Sequence, residues 1–180
     1  MKQTRTALLL SGLLLALAAS CSGDGSSGGG GPTAPQPMVL FTPDSAPTSA
    51  SISMRSGAGT TSTLLALEIL ATDVADVRTV DFTLDYPGNL LQFTTFRQGT
   101  FLGSDASVIL TNASSGSFTA LITSAGALGA AGSGVIVTFE LQTLAAGNGR
   151  IDFVDPEAGD SSGLEIEDVD FLGGTVQVVR

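Results

Sequence analysis

The fold of this chain is decided by the stretch Thr79-Val80-Asp81-Phe82-Thr83-Leu84-Asp85-Tyr86. Apolar and polar residues alternate along it, which is the pattern of a β-strand with one face in a core and one face in solvent. The predicted inward set is Val80, Phe82, Leu84 and Tyr86. The predicted outward set is Thr79, Asp81, Thr83 and Asp85.

The same alternation recurs on both sides of this stretch, and residues that tolerate turn conformations separate the runs. No stretch has the apolar periodicity of an amphipathic helix. We therefore predict an all-β fold, an antiparallel nine-stranded β-sandwich with jelly-roll topology, in which Phe82, Phe139 and Val176 share one interior. The nine predicted strands are 50–54, 63–70, 78–86, 90–96, 106–110, 117–123, 135–143, 150–154 and 174–179.

Composition excludes several classes of protein. The 180 residues contain no His and one Cys, so catalytic arrangements that need His, multi-thiolate zinc sites and intrachain disulfides are all excluded. The formal net charge of −10 repels phosphate backbones, which argues against nucleic acid as a partner. The composition thus excludes most familiar catalytic chemistry.

The N-terminus has the pattern of a secretory signal. Lys2 and Arg5 precede a short apolar run over 7–17, which is too short to be a permanent membrane helix. The segment Ala18-Ala19-Ser20-Cys21 resembles the lipobox of bacterial lipoproteins, although Ala18 stands where that family usually has Leu. The resemblance implies that residues 1–20 are removed and that Cys21 is acylated. Cleavage nearby, leaving a free thiol, is the alternative.

Residues 22–37 have the composition of a flexible tether, since six Gly, three Ser and three Pro make up twelve of the sixteen positions. We therefore predict three segments: a lipoprotein signal peptide over 1–20, the lipidated Cys21 with its tether over 21–47, and the sandwich domain over 48–180. The predicted location is secreted and lipid-anchored to the bacterial envelope, at the outer membrane or the cell surface.

The predicted sandwich resembles a cohesin domain, the receptor module of cellulosome-type scaffolds. The resemblance covers about residues 50 to 179 and rests on four elements in the order that the family has them. The elements are Asp81-Phe82-Thr83-Leu84-Asp85-Tyr86-Pro87-Gly88-Asn89-Leu90-Leu91, Gly99-Thr100-Phe101-Leu102, Thr138-Phe139 and Gly173-Gly174-Thr175-Val176-Gln177-Val178.

The resemblance implies a non-catalytic envelope module that docks a protein partner of the dockerin type through the outer face of one sheet, in extracellular scaffolding or polysaccharide breakdown. Thr79, Asp81, Thr83 and Asp85 are then the predicted partner-binding residues. The chain departs from the family at Thr79, where relatives have Asn, and near Gly126, where a Glu is missing.

Three alternatives remain open. The sandwich could bind carbohydrate directly, although the chain has no Trp and one Tyr to offer a flat ring. We expect no cofactor, but Asp155, Glu157 and Asp160 belong to an acid-rich region that either binds calcium or forms a solvated loop. Paired acids such as Asp81 and Asp85 could serve a glycosidase.

Mass spectrometry of the mature N-terminus tests the lipid anchor. We expect a chain that begins at Cys21 and carries several acyl groups, which vanish in Cys21→Ala. An unmodified Cys21, or cleavage at another position, contradicts the lipoprotein assignment.

Overall fold

The protein is described by a computed structural model that covers residues 37–45 and 49–180. The described residues form eleven strands and contain no helix that could span a membrane. In chain order the strands are β1 Met38–Pro43, β2 Ser51–Ser56, β3 Leu64–Val77, β4 Thr79–Asp85, β5 Leu91–Gln98, β6 Ser107–Ser114, β7 Ser117–Thr123, β8 Ala130–Thr143, β9 Gly147–Gly159, β10 Asp170–Leu172 and β11 Gly174–Val179.

The strands form two sheets that pack face to face. The six-stranded sheet has the order β1-β11-β9-β4-β7-β6, and the five-stranded sheet has the order β10-β2-β3-β8-β5. All neighbours are antiparallel except β10, which runs parallel to β2. The chain crosses repeatedly between the sheets, as in a jelly roll. The predicted antiparallel β-sandwich is confirmed.

Aromatic rings from both sheets fill the space between them. Phe82 on β4 and Phe118 on β7 both contact Phe139 on β8, with ring centroids 6.2 Å and 4.8 Å apart. Phe93 on β5 reaches across to Phe118 at 4.7 Å. Phe82, Phe139 and Val176 belong to one buried cluster, so the predicted shared interior is confirmed.

Bulges extend several strands beyond their predicted ends. The pairing of β3 with β8 shifts register after Ile69 and again after Ala71, and Asp73 and Asp76 have φ of 49° and 56°. Aspartate tolerates this left-handed conformation better than most residues. Each bulge interrupts the alternation of period two, so the sequence pattern is lost although the strand continues. The predicted strands are therefore too short at these positions, and the predicted number of nine is low because it lacks β1 and β10.

A strand also lies within the predicted tether of residues 21–47. Met38–Pro43 pairs along its whole length with β11, and Val39 and Phe41 are buried in the core. The folded domain therefore includes Met38–Pro43, which the prediction had placed in the tether. The neighbouring prolines and glycines concealed this short alternation. The predicted signal peptide 1–20, Cys21 and the tether up to residue 36 lie outside the described residues.

The central ring of the core gives a stability prediction. We expect Phe139→Ala to lower the free energy of unfolding by about 3–5 kcal/mol, because it leaves a cavity among three other rings. Urea denaturation followed by far-UV circular dichroism measures the loss. The matched control is Phe96→Ala on the neighbouring strand β5, where the side chain is 36% exposed and should lose less than half as much. Equal losses would contradict this account of the core.

Candidate functional site

The four predicted partner-binding residues lie in one row on the outer face of β4. Thr79, Asp81, Thr83 and Asp85 alternate with core residues that are at most 1% exposed. β4 lies inside the six-stranded sheet, with β7 on one side and β9 on the other. The row is therefore held on both sides by pairing, and its side chains stand on a rigid surface rather than on a loop.

β7 contributes an apolar residue and a hydrogen bond to this surface. Asp81 lies opposite Leu121, and Thr83 lies opposite Thr119. The hydroxyls of Thr83 and Thr119 are 3.0 Å apart and hydrogen-bonded. One strand further out, Ile109 on β6 lies opposite Leu121, and half of its side chain is exposed. An apolar strip therefore begins directly beside the Asp81 carboxylate.

β9 places a second carboxylate beside the first. Asp81 lies opposite Glu157, and Thr83 lies opposite Val154. One extra residue of β9 is accommodated between these pairs in a bulge, where Asp155 has φ 47°. The bulge returns Glu157 to the outer face, and side chains directly opposite in an antiparallel pair lie about 5 Å apart at their Cβ atoms. Asp81 and Glu157 therefore form a pair of adjacent acids.

No cation neutralises this pair within residues 37–45 and 49–180. The ion pairs there join Arg55 to Glu68, Arg97 to Glu140, and Arg150 to both Asp44 and Asp152. Hydrogen bonds to Asp152, and to a smaller extent to Asp44, raise the pKa of the Arg150 guanidinium above its ordinary value. Arg150 thus balances acids at one end of the sheet, and the negative charge of Asp81 and Glu157 remains available to a partner.

A shallow depression of about 200 Å³ lies at the end of the row. Thr79, Asp81, Leu121 and Glu157 line one side, and the loop after β9 closes the other with Gly159, Asp160 and Gly163. The Asp160 carboxylate accepts hydrogen bonds from the backbone N–H groups of Ser162 and Leu164, both at 2.8 Å. Asp160 therefore fixes the loop, while Asp81 and Glu157 face the depression.

The calcium alternative for Asp155, Glu157 and Asp160 does not match their placement. Asp155 and Glu157 belong to β9, so the predicted acidic loop at these positions is wrong and a bulged strand stands there. Asp160 is engaged with its own loop. In the part of the chain that the structure describes, no three Asp, Glu, His or Cys side chains gather as a metal site requires.

The glycosidase alternative for Asp81 and Asp85 meets a geometric difficulty. Four residues along a strand separate their Cα atoms by about 13 Å. Paired glycosidase carboxylates lie about 5–9.5 Å apart. The two acids are thus too far apart along β4 to act together on one glycosidic bond.

Within the described residues, no aromatic ring lies on the outer face of the six-stranded sheet, which carries the β4 row. Tyr86 is 6% exposed, and its hydroxyl donates to the carbonyl of Ser114 at 3.3 Å. Its ring borders a larger depression of about 460 Å³ together with Phe93 and Phe118, at the opening between the two sheets. These rings belong to the edge of the core, so the outer face offers no flat ring for a sugar.

Sequence reasoning missed Leu121, Ile109, Val154 and Glu157. Leu121 could have been found, because it occupies the outward phase of β7 between Thr119 and Thr123. Ile109 lies in a continuous apolar run with no alternation, and the bulge at Asp155 concealed the phase of Glu157. These two positions require the pairing of strands to be known.

Comparison with known proteins identifies the fold. No protein-family model and no curated protein matches the chain. Among solved structures, a non-cellulosomal cohesin from the archaeon Archaeoglobus fulgidus is 15% identical, with a TM-score of 0.56, covering 66% of this chain and 82% of that one. The cohesin module of a family 33 glycoside hydrolase from Clostridium perfringens is 11% identical, with a TM-score of 0.57, covering 74% and 97%.

A third similar structure is the sixth cohesin of scaffoldin B from Acetivibrio cellulolyticus, solved in complex with a Cel5 dockerin. It is 15% identical, with a TM-score of 0.59, covering 71% of this chain and 97% of that one. These similarities show that the described part of the chain has the fold of a cohesin module. The sequence resemblance is confirmed at the level of fold.

The role of Asp160 in its loop gives a prediction that separates it from calcium binding. We expect Asp160→Ala to lower the free energy of unfolding by about 1 kcal/mol, as loss of a capping carboxylate does. The loss should be the same in calcium and in EDTA, since it comes from backbone hydrogen bonds. Thermal unfolding in both buffers measures it, with Glu167→Ala as an exposed acidic control. A midpoint that calcium raises in the parent but not in Asp160→Ala would contradict this role.

Proposed function

We propose that the protein is a non-catalytic receptor module of the cell envelope that docks a dockerin-type protein partner on the outer face of β9, β4, β7 and β6. The observation that carries the proposal is the unneutralised pair of Asp81 and Glu157 beside the apolar residues Leu121 and Ile109. A flat, rigid surface of this kind suits a protein partner better than it suits a small substrate. The cohesin fold, seen in similar modules bound to dockerins, supports the same function.

The chemistry of the face defines its partner. Two adjacent carboxylates favour a Lys or Arg, since charge-assisted hydrogen bonds are stronger than neutral ones. The strip of Leu121 and Ile109 on one side of β4, and Val154 on the other, favour apolar side chains beside that basic group. Val154 is 39% exposed and lies on β9, so that Thr83 on β4 stands between it and Thr119 on β7. The partner surface is therefore basic at its centre and apolar around it.

The two departures from the family limit which dockerin fits. Thr79 offers a single hydroxyl where an Asn offers a carbonyl oxygen and a separate NH₂ group, and the expected Glu near Gly126 is missing. Glu157 on β9 supplies a carboxylate from a different strand. The proposal is thus a cohesin-like receptor with its own specificity, and direct carbohydrate binding is the alternative that it competes with.

The lipid anchor at Cys21 and the location at the outer membrane or cell surface are proposals from the sequence. A tether of sixteen residues with the composition of 22–37 spans roughly 20–24 Å as a flexible coil. Such a spacer would hold the receptor face away from the lipid surface and within reach of a partner.

The docking face is tested by removing its two charges. We expect the double variant Asp81→Asn with Glu157→Gln to weaken partner binding by about tenfold to a hundredfold, because two charge-assisted contacts are lost. Calorimetry with purified, calcium-loaded dockerin modules encoded in the same genome measures the affinity. Unfolding midpoints should stay the same or rise slightly, since both side chains lie on the surface and the repulsion between two like charges is removed.

The matched control is Glu68→Gln with Glu140→Gln, which changes the net charge equally on the outer face of the five-stranded sheet. We expect it to leave the affinity within about twofold at moderate salt, because distant exposed charges are screened. Equal effects of the two double variants would exclude a local site. Retention on cellulose, chitin or xylan, without binding to any dockerin, would favour the carbohydrate alternative instead.

A further inference from the structure

β6 forms one edge of the six-stranded sheet, and its residues 107–111 have none of the features that usually protect an edge strand. Natural edges are protected by charged residues, by Pro or by a covering element, because their unpaired N–H and C=O groups can pair with another chain. The other edge strands described have such features: β1 ends in Pro43, β5 carries Arg97 and β10 carries Asp170. Residues 107–111 of β6, Ser-Val-Ile-Leu-Thr, have neither charge nor Pro.

This unprotected run has a defined length. It pairs in regular antiparallel register with β7 from Ser107 to Thr111. After Thr111 the register shifts, and Asn112 has φ 53°, so the strand bends away from a regular edge. The five residues 107–111 therefore offer a short, regular edge, which we call the β6 edge.

The core beneath the β6 edge is incompletely covered. The inward residues Val108 and Leu110 are only half-buried, whereas Phe118, Ala120 and Ile122 on the adjacent β7 are fully buried. At the opposite edge of the same sheet, Val39 and Phe41 are buried because β1 also packs against β2 and β3. The β6 edge thus has unpaired backbone groups, half-exposed inward residues and the exposed outward side chain of Ile109.

We propose that the β6 edge pairs antiparallel with the β6 edge of a second copy of this chain, around a two-fold axis at Ile109. In this register Ile109 faces its own counterpart, Val108 faces Leu110, and Ser107 faces Thr111. Every facing pair is then uncharged and similar in character, apolar with apolar and hydroxyl with hydroxyl. Two-fold pairing of this kind gives a closed dimer and joins the two six-stranded sheets into one continuous sheet.

The charge distribution favours the β6 edge over the acidic remainder of the surface as the place where two copies meet. The chain carries 17 acidic residues and a net charge of −10, so most contacts between two copies are repulsive. The β6 edge is a neutral segment where two copies can approach without facing charges. The dimer would also place two copies of the Asp81 face on one side of a shared sheet, which offers a partner two adjacent sites.

Sedimentation velocity over a wide range of concentration tests the proposal, using the chain from residue 22 onward, which lacks both the apolar run 7–17 and the acylated Cys21. We expect a monomer–dimer equilibrium in the parent protein. Ile109→Lys should weaken association by roughly tenfold or more, because like charges then face each other across the axis and an apolar contact is lost. Ile109→Thr, which keeps a β-branched side chain, should weaken it less. Thr95→Lys on the edge strand β5 adds the same charge and should leave association unchanged.

A charge swap makes the test specific to this register. Ile109→Lys mixed with Ile109→Glu should form a mixed dimer that neither variant forms with itself, and native mass spectrometry distinguishes the species. A protein that stays monomeric at every concentration would overturn the proposal. So would a dimer that Ile109→Lys does not weaken, or one in which the mixture forms no mixed dimer. These outcomes are independent of whether a dockerin binds the outer face.

Discussion

Contact between aromatic rings of opposite sheets is the constraint on which the rest of the structure depends. Phe139 meets Phe82 and Phe118 across the interface, and Phe153 adds a ring 5.0 Å from Phe82. Rings of this size bury much apolar area and prefer edge-to-face contacts, which fix the sheets relative to each other. Because Phe82 must point inward, Asp81 and Thr83 must point outward. The orientation of the proposed docking face is therefore set by the packing of the core.

The two outer faces of the sandwich differ in how they treat acidic residues. On the five-stranded sheet, Glu68 and Glu140 each pair with an arginine of the neighbouring strand. On the six-stranded sheet, Asp81 and Glu157 lie side by side without such a pair among the described residues. Like charges placed directly opposite cost stability. Asp81 and Glu157 retain that cost, which a basic partner of the proposed kind would remove.

Sequence reasoning predicted the parts of the fold in which the period of two is unbroken. The alternation around Phe82 gave both the orientation of β4 and the row of four outward residues. It failed at bulges, where Asp73, Asp76 and Asp155 shift the phase without ending the strand. The partners of a row lie on neighbouring strands, so Glu157 and Ile109 could be placed only after the sheet order was known. The short strand β1 was missed because two alternating residues, Val39 and Phe41, give too weak a signal beside a segment rich in Gly and Pro.

The pairing of β1 with β11 joins residues from opposite ends of the described chain, with Met38 facing Val179. A polypeptide that emerges from a ribosome or a translocation pore presents β1 early and β11 last. The six-stranded sheet therefore cannot close until Gly174–Val179 has been released. Until that moment Val39 and Phe41 lack the strand that holds them over the core, and the nascent domain remains open along one side. Maturation of this module is thus timed by its final strand, however early the other sheet assembles.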